Sequence, residues 1–151
     1  MRILNSNGHG DPKSDMGGDM GNRDTLMIKI TFCLTRKPEL TREAFQDYWF
    51  NKHASLVKSH RETLRIARYV QLHTGDYEMT DLIRAARAGG KLENAPDIYD
   101  GVAQLWWNNV EDLMIDTPES RAAGAALLED EARFIDFSRS PLWFGEEKVI
   151  F

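Results

Sequence analysis

The chain has 151 residues, 42% of them hydrophobic, which suits one domain with a buried core. Nineteen Lys and Arg stand against 24 Asp and Glu, a formal charge of −5 with no basic block, and this disfavours nucleic acid and anionic membrane surfaces as partners. Cys33 is the only cysteine, which excludes an intramolecular disulfide and a thiolate metal cluster, and there is neither a run of about 18 apolar residues nor a secretory signal core, so a cytoplasmic location is expected.

Residues 1–25 carry five of the eleven glycines with no hydrophobic period, the composition of a disordered tail, and the domain is expected over 26–151. Ile28, Ile30, Phe32 and Leu34 then alternate with Lys29, Thr31, Cys33 and Thr35, the period-two pattern of a strand. After Lys37-Pro38-Glu39, Thr41 suits the N-cap of a helix running to about Ser59, with Glu43 at the positive end of its dipole. At a period of 3.6 its inner stripe is predicted to be Phe45, Trp49, Lys52 and Leu56, with Tyr48 and His53 flanking it on opposite sides.

A second strand is predicted from Arg65 to His73, with Ile66, Val70 and Leu72 on one face and Tyr69, Gln71 and His73 on the other. Thr80 would cap a short inserted helix that Gly89-Gly90 ends. Strand three reads from Ile98 to Trp107, and Asn108-Asn109 opens another helical turn. Thr117-Pro118-Glu119 starts a helix, a further helical piece is expected from Glu129 to Phe137, and the last strand is placed at Glu147 to Phe151. Strand, helix, strand, strand, helix, strand is the ferredoxin-like α+β order, an antiparallel sheet with helices on one face. Its other face, expected to carry Tyr69, His73, Trp106 and Trp107, is too apolar to leave in water, so a two-fold homodimer is expected.

The segments MIKITFCLTRKPELTREAFQDYWFNKHASLVKSH, ARYVQLHT, YDGVAQLWW and EDEARFIDFSRSPLWFGEEKVIF resemble the EthD family of dimeric α+β barrels. The resemblance implies two ferredoxin-like protomers whose sheets join around a mostly apolar cavity. Relatives in that superfamily include cofactor-independent monooxygenases, polyketide cyclases, decarboxylases and muconolactone isomerases, so the fold implies no single reaction.

His53 matches the histidine of the family pattern YWxxxHxxLV and is the first candidate for proton transfer, since imidazole titrates near neutrality. The competing reading is a buried histidine with a structural hydrogen bond. His73 is the candidate second acid–base group, and Tyr48 a candidate catalytic hydroxyl. Tyr69, Trp49, Trp107 and Phe32 are candidates for holding an aromatic ring, although such residues more often build core or interface. The run Glu129-Asp130-Glu131 reads as a solvated helix face with a structural role at the barrel mouth.

No GxGxxG, GxxxxGK[ST] or GxSxG occurs, and the histidines lack HxH or HxxxH spacing, so neither a cofactor nor a metal is expected. Two functions follow. One is a cofactor-independent oxidoreductase, lyase or isomerase acting on a hydrophobic, aromatic or polyketide-like molecule by histidine acid–base chemistry. The other is a non-catalytic dimeric ligand-binding or accessory module for a neighbouring oxidase.

Overall fold

The computed structural model describes residues 27–88 and 97–151; the expected tail and the Gly89-Gly90 helix end lie outside them. Four antiparallel strands, β1 (Ile28–Leu34), β2 (Arg68–His73), β3 (Gly101–Trp107) and β4 (Leu142–Gly145), form one sheet in the order β2-β3-β1-β4. With helices after β1 and β3, this is the ferredoxin-like arrangement read from the sequence. The insertion between β2 and β3 carries helix α3 (Glu78–Ala88).

The first helical stretch has three parts: α1 (Arg42–Tyr48), a wide π-turn (Trp49–His53) and α2 (Ala54–Ser59). Thr41 caps α1, its side chain accepting from the Ala44 N–H at 3.1 Å. The π-turn corrects the predicted inner stripe. Buried positions are Phe45, Trp49, His53 and Val57, whereas Lys52 is exposed and Leu56 only half-buried. Steps of four residues drift by about 40° each on an α-helix, and a wider turn absorbs that drift. Its cause is visible: the Trp49 carbonyl accepts both the Ala54 N–H and the Gln71 side-chain amide, at 3.1 Å for the latter, so a β2 side chain enters the helical ladder.

After β3, the short helix α4 (Val110–Leu113) is capped by Asn109, and α5 (Pro118–Glu131) begins with a reciprocal Thr117–Ser120 capping box. The expected helical piece from Glu129 to Phe137 is corrected. The helix stops at Glu131, Phe134 and Ile135 drop into the core, Ile135 pairs with Arg36, and only a 3₁₀ turn at Phe137–Arg139 follows. The last strand lies upstream of its expected place. The Thr35 N–H donates to Ser140 Oγ at 2.8 Å and the Cys33 N–H to the Pro141 carbonyl at 3.0 Å, which brings the chain alongside β1 at Leu142. Proline is tolerated at the start of an edge strand, so Pro141 leads into β4 without a spacer.

Alternation divides the sheet. Ile28, Ile30, Phe32 and Leu34 of β1, Tyr69 of β2 and Ala103, Leu105 and Trp107 of β3 pack beneath the helices with Phe45, Trp49, Val57 and Phe134. The expected Trp106/Trp107 pair is thereby split. Trp107 is core, its Nε1 donating to the Leu64 carbonyl at 2.8 Å. Trp106 lies on the far face under Lys29 and Arg68, with Nε1 donating to Glu147 at 3.0 Å. Gly101 is dictated by close approach: a Cβ there would collide with the Trp49 ring.

Candidate active site

Between α1 and β2 lies an open groove of about 920 Å³, within the range of small-molecule sites. Gln46 fixes α1 to the strand ends, its amide donating to the Thr74 and Asp100 carbonyls at 2.8 and 3.0 Å. Buried Asp100 receives the Arg36 guanidinium and backbone N–H and, at 3.1 Å, Arg42 Nε, which leaves Arg42 at the rim paired with Asp76 at 3.0 Å. The floor is Tyr69, Gln71 and His73, alternate residues on the face of β2 that lies under the helices.

A chain of hydrogen bonds fixes the proton positions on that floor. A carbonyl only accepts, so the Gln71 atom at the Trp49 carbonyl is its nitrogen, which also donates to Tyr69 Oη at 2.8 Å. Gln71 Oε1 is therefore the atom 2.8 Å from His73 Nε2, and that imidazole nitrogen must carry the hydrogen. Burial holds the His73 imidazole below the usual histidine range, so the ring is neutral at pH 7 and Nδ1 keeps a lone pair. Trp49 stacks on the ring at 4.8 Å and Phe50 meets it edge-on.

Tyr69 Oη accepts from Gln71 and, at 3.1 Å, from Trp49 Nε1. With both lone pairs taken, the hydroxyl can only donate. Burial pushes its pKa up to about 12, so it stays protonated.

Behind Tyr69 is a second, smaller and narrower cavity of about 50 Å³, lined by Tyr69, His53 and Glu131 among apolar side chains that include Phe32 and Trp49. His53 Nδ1 lies 2.7 Å from Asp130 Oδ2, and Tyr48 donates to Asp130 Oδ1 at 2.6 Å. Burial lowers the His53 pKa against the opposing pull of Asp130, so the imidazole is neutral, with Nδ1–H on Asp130 and a lone pair on Nε2. The bond to Asp130, then burial, raises the Tyr48 pKa and keeps its hydroxyl a donor. Glu131 Oε1 lies 3.9 Å from His53 Nε2, too far for a hydrogen bond.

A family model described as the EthD domain matches residues 37–138, more than half of the sequence. The chain belongs to the EthD family. An EthD-like protein from Ralstonia eutropha JMP134 shares its fold with a TM-score of 0.53 at 18% identity, over 83% of this chain and 96% of its own. A dimeric protein of unknown function and ferredoxin-like fold from Bacteroides fragilis gives 0.47 at 12%, over 80% and 96%. A hypothetical Arabidopsis thaliana protein gives 0.46 at 11%, over 89% and 99%. No curated protein matches the sequence. Among the described residues, no helix is long and apolar enough to cross a membrane, and no group of three or more His, Cys, Asp and Glu is placed to hold a metal ion.

The candidates thus fall into two places. His73 and Tyr69 meet in the groove, whereas His53, Tyr48 and Phe32 lie inward, with Tyr69 and Trp49 between. All face the helices, not the uncovered side of the sheet where His73 and Tyr69 were expected, because β2 turns its odd-numbered residues towards Trp49. The sequence pattern does not single out Gln71, which orients His73, and the solvated face it suggests for Asp130 and Glu131 is corrected by their burial, with side chains 15% and 24% exposed. The signal was available in part: Tyr48 and His53 are five residues apart, and the wide turn lets one carboxylate bind both.

Burial, then Asp130, raises the Glu131 pKa from 4.5 to about 7. Between those values the folded chain binds more protons than the unfolded one, so this carboxyl lowers stability as pH rises through about 7. Glu131→Gln removes the charge and is expected to stabilise the protein at pH 8 by up to about 3 kcal/mol, with the gain gone at pH 4. Urea denaturation at both pH values checks this.

Proposed function

We propose that this EthD protein is a cofactor-independent acid–base enzyme that binds a small aromatic or polyketide-like molecule in the groove between α1 and β2 and moves a proton on it. The observation carrying the reading is the Trp49–Gln71–His73 chain, which leaves a groove-lining imidazole with a free Nδ1 lone pair near a tyrosine that can only donate. A base next to a fixed hydrogen-bond donor suits abstraction of an acidic C–H or phenolic proton while the donor stabilises the developing oxyanion. Two N–H donors on Tyr69 Oη strengthen its own O–H as a donor.

Charge narrows the substrate. Glu43, Asp47 and Asp76 surround the groove, and its Arg42 is already paired with Asp76 and Asp100. That balance repels phosphates and polyanions and favours a neutral phenol, quinol or 1,3-diketone, with Phe50 offering an apolar surface. Such a proton abstraction can set off ring closure, isomerisation, reaction with oxygen or, in a substrate that also carries a carboxyl group, decarboxylation. A second copy packing on the face opposite the helices, around Val70, Leu72 and Trp143, completes the assembly in this reading; Leu72 and Trp143 are more than half exposed in one protomer.

The test is solvent-deuterium exchange at the acidic C–H of neutral 1,3-diketones and polyphenols, followed by NMR with purified protein and nothing added. Exchange well above the buffer rate is expected. Binding without exchange gives the non-catalytic ligand-binding module instead.

A further inference from the structure

We infer that the small cavity behind Tyr69 is the site of an ordered water that relays protons between the Tyr69 hydroxyl and the Glu131 carboxyl, which supplies and recovers the proton, while the His53–Asp130 pair holds that water in place. This deepens the proposed function and rests on Tyr69 acting in the groove.

Tyr69 belongs to both spaces, the groove on one side and the cavity on the other. A water needs roughly 10–15 Å³ and two to four polar partners. The cavity offers about 50 Å³ and three partners of complementary kind. The His53 Nε2 lone pair accepts, because Nδ1 is engaged by Asp130 and the residue is 96% buried with no other hydrogen bond among the described residues. Tyr69 has its two lone pairs filled, so with the groove empty its one O–H donates to this water; when a substrate oxygen takes that hydrogen, Oη is left open to accept from the water. The Glu131 carboxyl makes no hydrogen bond among the described residues, and its 3.9 Å separation from His53 Nε2 is a gap that one water can bridge. No fully buried side-chain nitrogen or oxygen among the described residues lacks a partner, so both groups border space wide enough for water. Ile135, Leu127, Val57 and Leu105 line the remaining walls with apolar side chains.

The transfers balance. His73 takes the proton from the substrate C–H, and the Tyr69 O–H proton moves to the substrate oxygen. A water proton then moves to Tyr69 Oη, and the Glu131 carboxyl proton moves to the water. The products are a neutral enol, an imidazolium at His73 and a carboxylate at Glu131, so total charge is unchanged. Resetting reverses the inner steps, with the His53 Nε2 lone pair holding the water in place.

Around Glu131 stand His53 and Tyr48 from the first helical stretch, Tyr69 from β2, and Asp130 and Arg133 from its own segment; Arg133 approaches Asp130 at 3.6 Å. Because burial and Asp130 raise the Glu131 pKa to about 7, its proton is present on the acid side of neutrality and lost on the alkaline side. The wild-type exchange rate should therefore fall above about pH 7. In Glu131→Gln the rate should drop about 100-fold at pH 6 and that alkaline limb should vanish. A rate lowered equally at every pH, with the limb intact, overturns the relay.

A second measurement needs no turnover and separates failure of the relay from failure of the groove reading. Infrared difference spectra of the resting wild-type protein should show a protonated carboxyl band titrating near neutrality, absent in Glu131→Gln and shifted in His53→Gln. A high-resolution crystal structure should place a water within hydrogen-bond reach of Tyr69 Oη and His53 Nε2. A dry cavity, or a Glu131 already ionised at pH 5.5, overturns the inference whatever the groove does.

Discussion

His73→Ala is expected to lower deuterium exchange on a neutral 1,3-diketone by about 10²–10⁴-fold while leaving its affinity for the groove nearly unchanged. The loss follows from removing the one base on the groove floor, since the Gln71 amide is not basic and the Tyr69 hydroxyl, accepting from Gln71 and Trp49, can only donate. Nitrogen NMR of the His73 ring provides a check on the cause. The Nε2–H tautomer should dominate in the wild type, and Gln71→Leu should scramble it and cut the rate without moving Phe50 or Arg42. Exchange at the wild-type rate in His73→Ala would remove this residue from the chemistry and return attention to His53.

Trp49→Ala should be the most damaging substitution for the fold, at about 3–5 kcal/mol in urea denaturation. Trp49 is 1% exposed, touches Phe45 and His73, lies against Gly101 and donates to Tyr69. A domain of ordinary stability, about 5–15 kcal/mol, survives that loss only narrowly. Trp49→Phe keeps a ring and should cost far less, yet it leaves Tyr69 with one N–H donor fewer, so the two variants separate packing from chemistry. Gly101→Ala acts from the other side by pushing the indole off the strand and should mimic Trp49→Ala in direction.

How much of this was legible depends on the range of the interaction that decides each feature. The alternation of Ile28, Ile30, Phe32 and Leu34, the Thr41 cap and the Thr117 start are decided within a few residues, and all appear where the sequence puts them. The inner stripe of the first helix was misread because Gln71, from another element, widens the turn at Trp49 and exchanges Lys52 for His53. The last strand was placed too late because Ser140 and Thr35, 105 positions apart, set where β4 meets β1. Asp130 was misread for the same reason. Its neighbours Glu129 and Glu131 suggest a wetted face, while the groups that claim it, Tyr48 and His53, lie far away in sequence.

The wide turn at Trp49–His53 also means that the helix holds one residue in reserve. Were Asn51 deleted and the helix to close to ordinary pitch, His53 and Val57 would stand three and seven positions after Trp49, about −60° and −20° around the axis, and both would still point inward. Such a shortened chain should assemble its interior and unfold cooperatively. It would nonetheless pull the Trp49 carbonyl away from the amide that orients the groove imidazole, so a protein intact by every measure of folding would have lost the alignment on which its reactivity depends.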